Sequence, residues 1–107
     1  MNYKWRKKAE AQLKRNATYC AQRFGKSVAL HFIDKIDHQV ELLATHPHLG
    51  IVEPLLDDRR RNYRSLVVHE HFKLVYYIDE KQQTLYIVTL WDIRCEPARL
   101  SQQIISK

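Results

Sequence analysis

Residues Tyr63–Arg94 read YRSLVVHEHFKLVYYIDEKQQTLYIVTLWDIR, and this stretch decides the fold. Three runs within it, Tyr63 to His69, Phe72 to Asp79 and Thr84 to Trp91, are rich in β-branched and aromatic residues. Glu70-His71 is short enough for a two-residue hairpin loop, and Glu80 to Gln83 serves as the next turn. The stretch therefore predicts an antiparallel meander.

Upstream the hydrophobic period changes from two to 3.6. Ala9, Leu13, Ala17, Cys20 and Phe24 draw one stripe on a helix from Arg6 to Phe24, with Gly25 as its stop. Ser27 offers an N-cap hydroxyl to a second helix, in which Ala29, Phe32, Ile33, Ile36, Val40 and Leu43 share a face. That helix ends by Thr45, because His46 precedes Pro47. So short a connection makes the pair an antiparallel hairpin. Residues 46–62 form a long exposed connection with one short edge strand at Ile51-Val52, and Pro97 opens a short C-terminal tail or helix from Ala98 to Ser106. The predicted fold class is α+β: an N-terminal helix hairpin on one face of a twisted antiparallel sheet of three to four strands, in a single domain spanning 1–107.

Composition narrows the function classes. The two cysteines lie 75 positions apart, which rules out a disulfide framework. The longest apolar run, Leu74 to Ile78, is five residues, whereas a membrane span needs about 20. The N-terminus has no signal-peptide pattern, so a soluble cytoplasmic protein without a membrane partner is expected. Net charge is +6 and uneven: +7 over residues 1–26, −5 over 27–58 and +4 over 59–107. A basic balance suits a polyanion or an acidic protein partner.

Alternation through these two turns predicts which side chains share a face. Val68 opposite Lys73 and Asp79 opposite Thr84 place Leu74, Tyr76, Ile78, Leu85, Ile87 and Trp91 on a face covered by the helices. The other face then gathers Arg64, Lys73 and Arg94 among Tyr77, Tyr86 and Leu90. Cations interleaved with aromatic rings on an open sheet face fit a phosphate backbone and a stacked base. A half-solvated face with charges near its ends has the same composition. Other chemistry is weakly signalled. His46-x-His48 and His69-x-His71 have chelate-like spacing but no cysteine at zinc-site distance, so no metal is expected. Cys20 belongs to the buried helix stripe, and Cys95 lies beside Arg94 without a following histidine. There is no glycine-rich phosphate loop, and no cofactor is expected.

The runs Tyr63-Arg64-Ser65-Leu66, Phe72 to Ile78 and Ile87 to Arg94, closing with Glu96-Pro97-x-x-Leu100, resemble the RelE/ParE superfamily of bacterial toxins. Trp5, Ala9, Leu13, Phe24-Gly25, Phe32 and Ile36 extend the resemblance over nearly the whole chain. It implies the toxin half of a type II toxin–antitoxin (plasmid stabilisation) module, a growth inhibitor neutralised by a cognate antitoxin. One branch of the superfamily poisons DNA gyrase. The other is a ribosome-dependent mRNA endoribonuclease, and in it Arg64, Lys73 and Arg94 fall at or near catalytic cations. That branch uses a C-terminal tyrosine or histidine in acid–base work, and residues 95–107 contain neither. The resemblance thus implies the gyrase branch first, the nuclease branch second, and an inactive antitoxin-binding member third. Whether the chain is an enzyme depends on the branch. Target or antitoxin contacts are expected at Lys7, Lys8, Lys14 and Arg15 of the first helix, at Arg59, Arg60 and Arg61, and at Tyr77 and Tyr86.

Overall fold

The structure is a computed structural model that describes residues 1–56, 61–94 and 100. Arg59, Arg60, Cys95 and the tail expected at 98–106, apart from Leu100, lie outside the described residues. Strand β1 (Asn2–Trp5) leads into helices α1 (Lys7–Phe24) and α2 (Lys26–Thr45). Then come β2 (Ile51–Val52), one 3-10 turn at Pro54–Leu56, β3 (Arg64–His69), β4 (Phe72–Asp79) and β5 (Thr84–Asp92). Among the described residues, the sheet has five strands in the order β1-β5-β4-β3-β2. Among the described residues, no helix is long and apolar enough to cross a membrane.

The strand count exceeds the expected three to four because β1 pairs in parallel with β5, Tyr3 beside Leu85 and Trp5 beside Ile87. Four residues carry too little alternation to announce a strand. Tertiary contacts hold it instead: the Tyr3 hydroxyl donates to Glu41 Oε1 (3.2 Å) and the N-terminal amine donates to the Ala44 carbonyl (3.2 Å), both on α2.

The hairpin of helices turns on one residue. Gly25 has φ 102°, a conformation that disfavours a side chain. Its N–H closes α1 on the Ala21 carbonyl (2.9 Å), and its own carbonyl accepts from Ala29 N–H (3.2 Å) to open α2. The second helix therefore starts at Lys26 with Gly25 as N-cap, and Ser27 is not the cap expected from the sequence. A one-residue connection leaves no extended position for a capping hydroxyl.

Helix residues Ala9, Phe32, Ile36, Val40 and Leu43 bury one face of the sheet, on Leu74, Tyr76, Leu85 and Ile87. Where β1 stops, β5 would be left with an unpaired edge. Gln12 of α1, itself buried, fills that gap: its Oε1 accepts from the Thr89 hydroxyl (2.9 Å) and the Leu90 N–H (3.1 Å).

Two β-bulges change the predicted faces. Val67, not Val68, sits opposite Lys73, and His69 opposite Phe72, so Val68 is the extra residue in β3. In β5, Thr89 pairs with Val75 and Ile87 with Tyr76, so Val88 is the extra residue. A bulge shifts side-chain parity by one. Trp91, expected under the helices, belongs to the opposite face with Val75, Tyr77 and Val88, whereas Leu90 joins the helix-side core. That opposite face is not open either. Leu56, Tyr63 and Leu100 cover it in a second apolar cluster.

Candidate functional site

The same bulges separate the three cations predicted to share a face. Arg64 stands opposite Tyr76, a residue of the helix-side core, and Lys73 stands opposite Val67 and Trp91 on the other side. Directly opposed residues share a face. Arg94, beyond β5, reaches the tip of the helix hairpin, where it lines a cavity of about 410 Å³ with Tyr19, Cys20, Phe24 and Val28. The predicted constellation of Arg64, Lys73 and Arg94 is therefore not assembled.

Each cation also has its own local partner. Arg64 Nη1 donates to the Gly50 carbonyl (2.7 Å). Lys73 Nζ donates to Glu53 Oε1 in an ion pair, and Glu53 is only 1% exposed. Burial pushes the Glu53 carboxyl up. Hydrogen bonds from Lys73, the Leu55 amide and Ser65 outweigh it and hold the group below the usual carboxylate range. Arg94 grips Asp92 through Nε (3.0 Å) and Nη2 (2.9 Å), which holds the Asp92 carboxyl down against a smaller effect of burial.

What the face away from the helices does assemble is a layered stack of cations and rings. Tyr77 and Tyr86 stack with centroids 5.2 Å apart and planes 26° apart. Arg6 lies over Tyr86 (5.1 Å to the centroid) and donates through Nη2 to the Tyr77 hydroxyl. Arg61 lies over the Tyr77 ring at 4.4 Å, and Tyr63 meets Tyr77 edge to face. Contacts of this kind each contribute about 0.5–2 kcal/mol. The Nε of Arg6 is buried without a hydrogen-bond partner. Tyr77, Tyr86 and Arg61 were expected as binding residues, and the structure brings them together. Arg6 and Glu53 were missed. Arg6 follows a strand too short to recognise, and no spacing in the chain connects Glu53 to Lys73, 20 residues away.

Lys7, Lys8, Lys14 and Arg15 are all exposed on α1 and follow Arg6 on the same basic N-terminal segment. A second cavity, of about 420 Å³, opens beside Arg61 and Arg64 at the end of β4. Among the described residues, no group of three or more His, Cys, Asp or Glu could hold a metal ion.

The architecture recurs in known proteins. Over 87% of this chain and 96% of the other, it is similar to a structure of the chromosomal ParDE TA system from P. aeruginosa, with TM-score 0.70 and 21% identity. It is also similar to a metal-bound toxin from Helicobacter pylori (TM-score 0.62, 22% identity, 86% and 93% covered). A YoeB/ParE toxin from Agrobacterium tumefaciens gives TM-score 0.58 at 17% identity, with 86% and 98% covered. At such identities these likenesses concern the fold. No curated protein matches the chain. The family model described as ParE toxin of type II toxin-antitoxin system, parDE, matches residues 3–94. That span takes in both helices, β1 from Tyr3, the whole of β2 to β5 and the stack of Arg6, Tyr86, Tyr77 and Arg61, and the chain belongs to the ParE toxin family.

Proposed function

We propose that this toxin inhibits growth by binding DNA gyrase and does not cleave messenger RNA. The observation that carries the reading is the dispersal of Arg64, Lys73 and Arg94, with Lys73 neutralised by a buried carboxylate. Phosphoryl chemistry needs cations converging on one reacting group, and this arrangement favours a binding mode of action. The absence of tyrosine and histidine from residues 95–107 supports it further, because strand cleavage relies on acid–base groups. Expression without antitoxin is expected to stop growth with intact messages by primer extension and with inhibited supercoiling or trapped gyrase cleavage complexes. Codon-positioned cleavage that disappears in Arg64→Ala or Arg94→Ala would instead establish the nuclease mode.

The partner is a cognate antitoxin, as the ParDE system of the P. aeruginosa neighbour suggests. An acidic, amphipathic antitoxin segment fits the exposed basic residues Lys7, Lys8, Lys14 and Arg15, together with Arg59, Arg60 and Arg61. Reversing all four α1 charges to glutamate is expected to weaken antitoxin binding at least tenfold and to flatten its salt dependence. Unchanged affinity at low ionic strength would move the landing site away from α1.

A further inference from the structure

We propose that the cavity at the end of β4 is a nucleotide site, taking a phosphate at Arg61 and Arg64 and the donor edge of a base at Asp79 and Glu80. The cavity measures about 420 Å³, and its walls include His48, Tyr77 and Lys81 beside those four residues. That volume lies in the range of small-molecule sites. The two guanidiniums are held in place from behind. Arg61 rests on the Tyr77 ring at 4.4 Å, and Arg64 is tied by Nη1 to the Gly50 carbonyl at 2.7 Å. Each keeps further N–H donors in a planar fork, the geometry that suits phosphate oxygens. Pre-positioning reduces the side-chain entropy lost on binding.

The carboxylates define the rest of the ligand. They come from the last residue of β4 and from the turn after it, whereas the guanidiniums come from the segment entering β3. Asp79 Oδ1 already accepts from Gln82 N–H (3.2 Å), which orients that side chain. A bare oxyanion gains nothing from these acids, and a simple cation is repelled by the arginines. A nucleotide carries both complements: an anionic phosphate, and amino or imino donors on its base that a carboxylate accepts. Guanine presents two adjacent donors on one edge and suits a carboxylate best. The outer face of the Arg61 guanidinium adds a plane on which a base stacks. The site stands apart from Lys73 and Arg94, and it does not depend on which target the toxin poisons.

The test is a calorimetric or NMR titration of the purified full chain with GMP, UMP, guanosine and inorganic phosphate. GMP is expected to bind at least tenfold more tightly than guanosine, phosphate or UMP. Arg61 and Glu80 are exposed, so Arg61→Gln and Glu80→Gln leave the fold intact. Arg61→Gln is expected to weaken GMP by about tenfold. Glu80→Gln is expected to weaken GMP while leaving the weak binding of phosphate unchanged. Tighter binding of a guanine-bearing single-stranded oligonucleotide than of GMP keeps the site and assigns its ligand to a nucleic-acid strand. Phosphate binding as tightly as GMP would reduce the cavity to an oxyanion site and overturn the proposal. So would GMP binding that ignores both substitutions, or no GMP binding at all.

Discussion

Gly50→Ala is expected to destabilise this protein by about 3 kcal/mol, through overpacking and a lost buried hydrogen bond. A Cβ at Gly50 would meet the Ser65 carbonyl oxygen and the Tyr76 hydroxyl at 2.6 Å each, and Tyr76 Cε1 at 2.9 Å. One of those neighbours is backbone of the sheet, and the other is a ring with no exposed surface. Neither has room to move. The contact is tight because it is a hydrogen-bonded latch. Gly50 N–H donates to the Tyr76 hydroxyl (3.0 Å), which donates in turn to the Pro47 carbonyl (2.7 Å). The latch seats the turn after α2 on the sheet, and the Gly50 carbonyl anchors Arg64. For a chain of this size the loss lowers the melting temperature by roughly 15 °C. Urea denaturation within about 0.5 kcal/mol of the parent, the range of ordinary surface substitutions, would refute the latch.

Lys73→Met removes one partner of a buried ion pair, and such losses cost about 3–5 kcal/mol near neutral pH. The effect has a pH signature. In the parent, Glu53 titrates below its unfolded value, so the stability it contributes is present above the unfolded pKa, about 4.3. That contribution is lost as pH falls through the depressed folded value. Without Lys73, burial pulls the Glu53 carboxyl up against the Leu55 amide and Ser65 alone, so it titrates higher than in the parent. The variant's folded state then takes up its proton at higher pH than the parent's does, and it loses less stability on acidification. The gap between parent and variant should therefore narrow on acidification in urea titrations at pH 7, 5 and 4. A gap that stays constant across that range would show that Glu53 is not the group left unpaired. A Glu53→Leu/Lys73→Met double variant is expected to regain most of the loss, because the stranded charge is gone. Any loss of toxicity in Lys73→Met should then be repaired by the second substitution if the role of Lys73 is structural.

Much of the fold was legible along the chain. Periodic apolar positions gave α1 and α2 to within a residue or two, and Phe72–Asp79 was read with its observed bounds. The two-residue turn at Glu70-His71 and the edge strand Ile51-Val52 were visible from composition and spacing. Strand β1 was not, because its order comes from Leu85, Ile87 and Glu41, all remote in sequence. Of the site, the tyrosines and Arg61 were legible as basic and aromatic residues in one region. Their stacking order, and the membership of Arg6, were not.

The amino-acid sequence by itself determined both helices, the strands other than β1, their order and the family, because helix period, strand composition and turn chemistry are local properties that each segment carries alone. Tertiary structure decided which side of the sheet each strand residue faces. Side chains in a strand alternate with a period of two, so the single extra residues Val68 and Val88 are enough to send Arg64 and Trp91 to faces opposite those expected. Whether a bulge forms depends on how well two layers pack across the sheet, and no strand contains that information. The same holds for charge. Lys73 reads as a free cation until the chain brings Glu53 against it, and that encounter changes it from a candidate phosphate ligand into half of a buried pair.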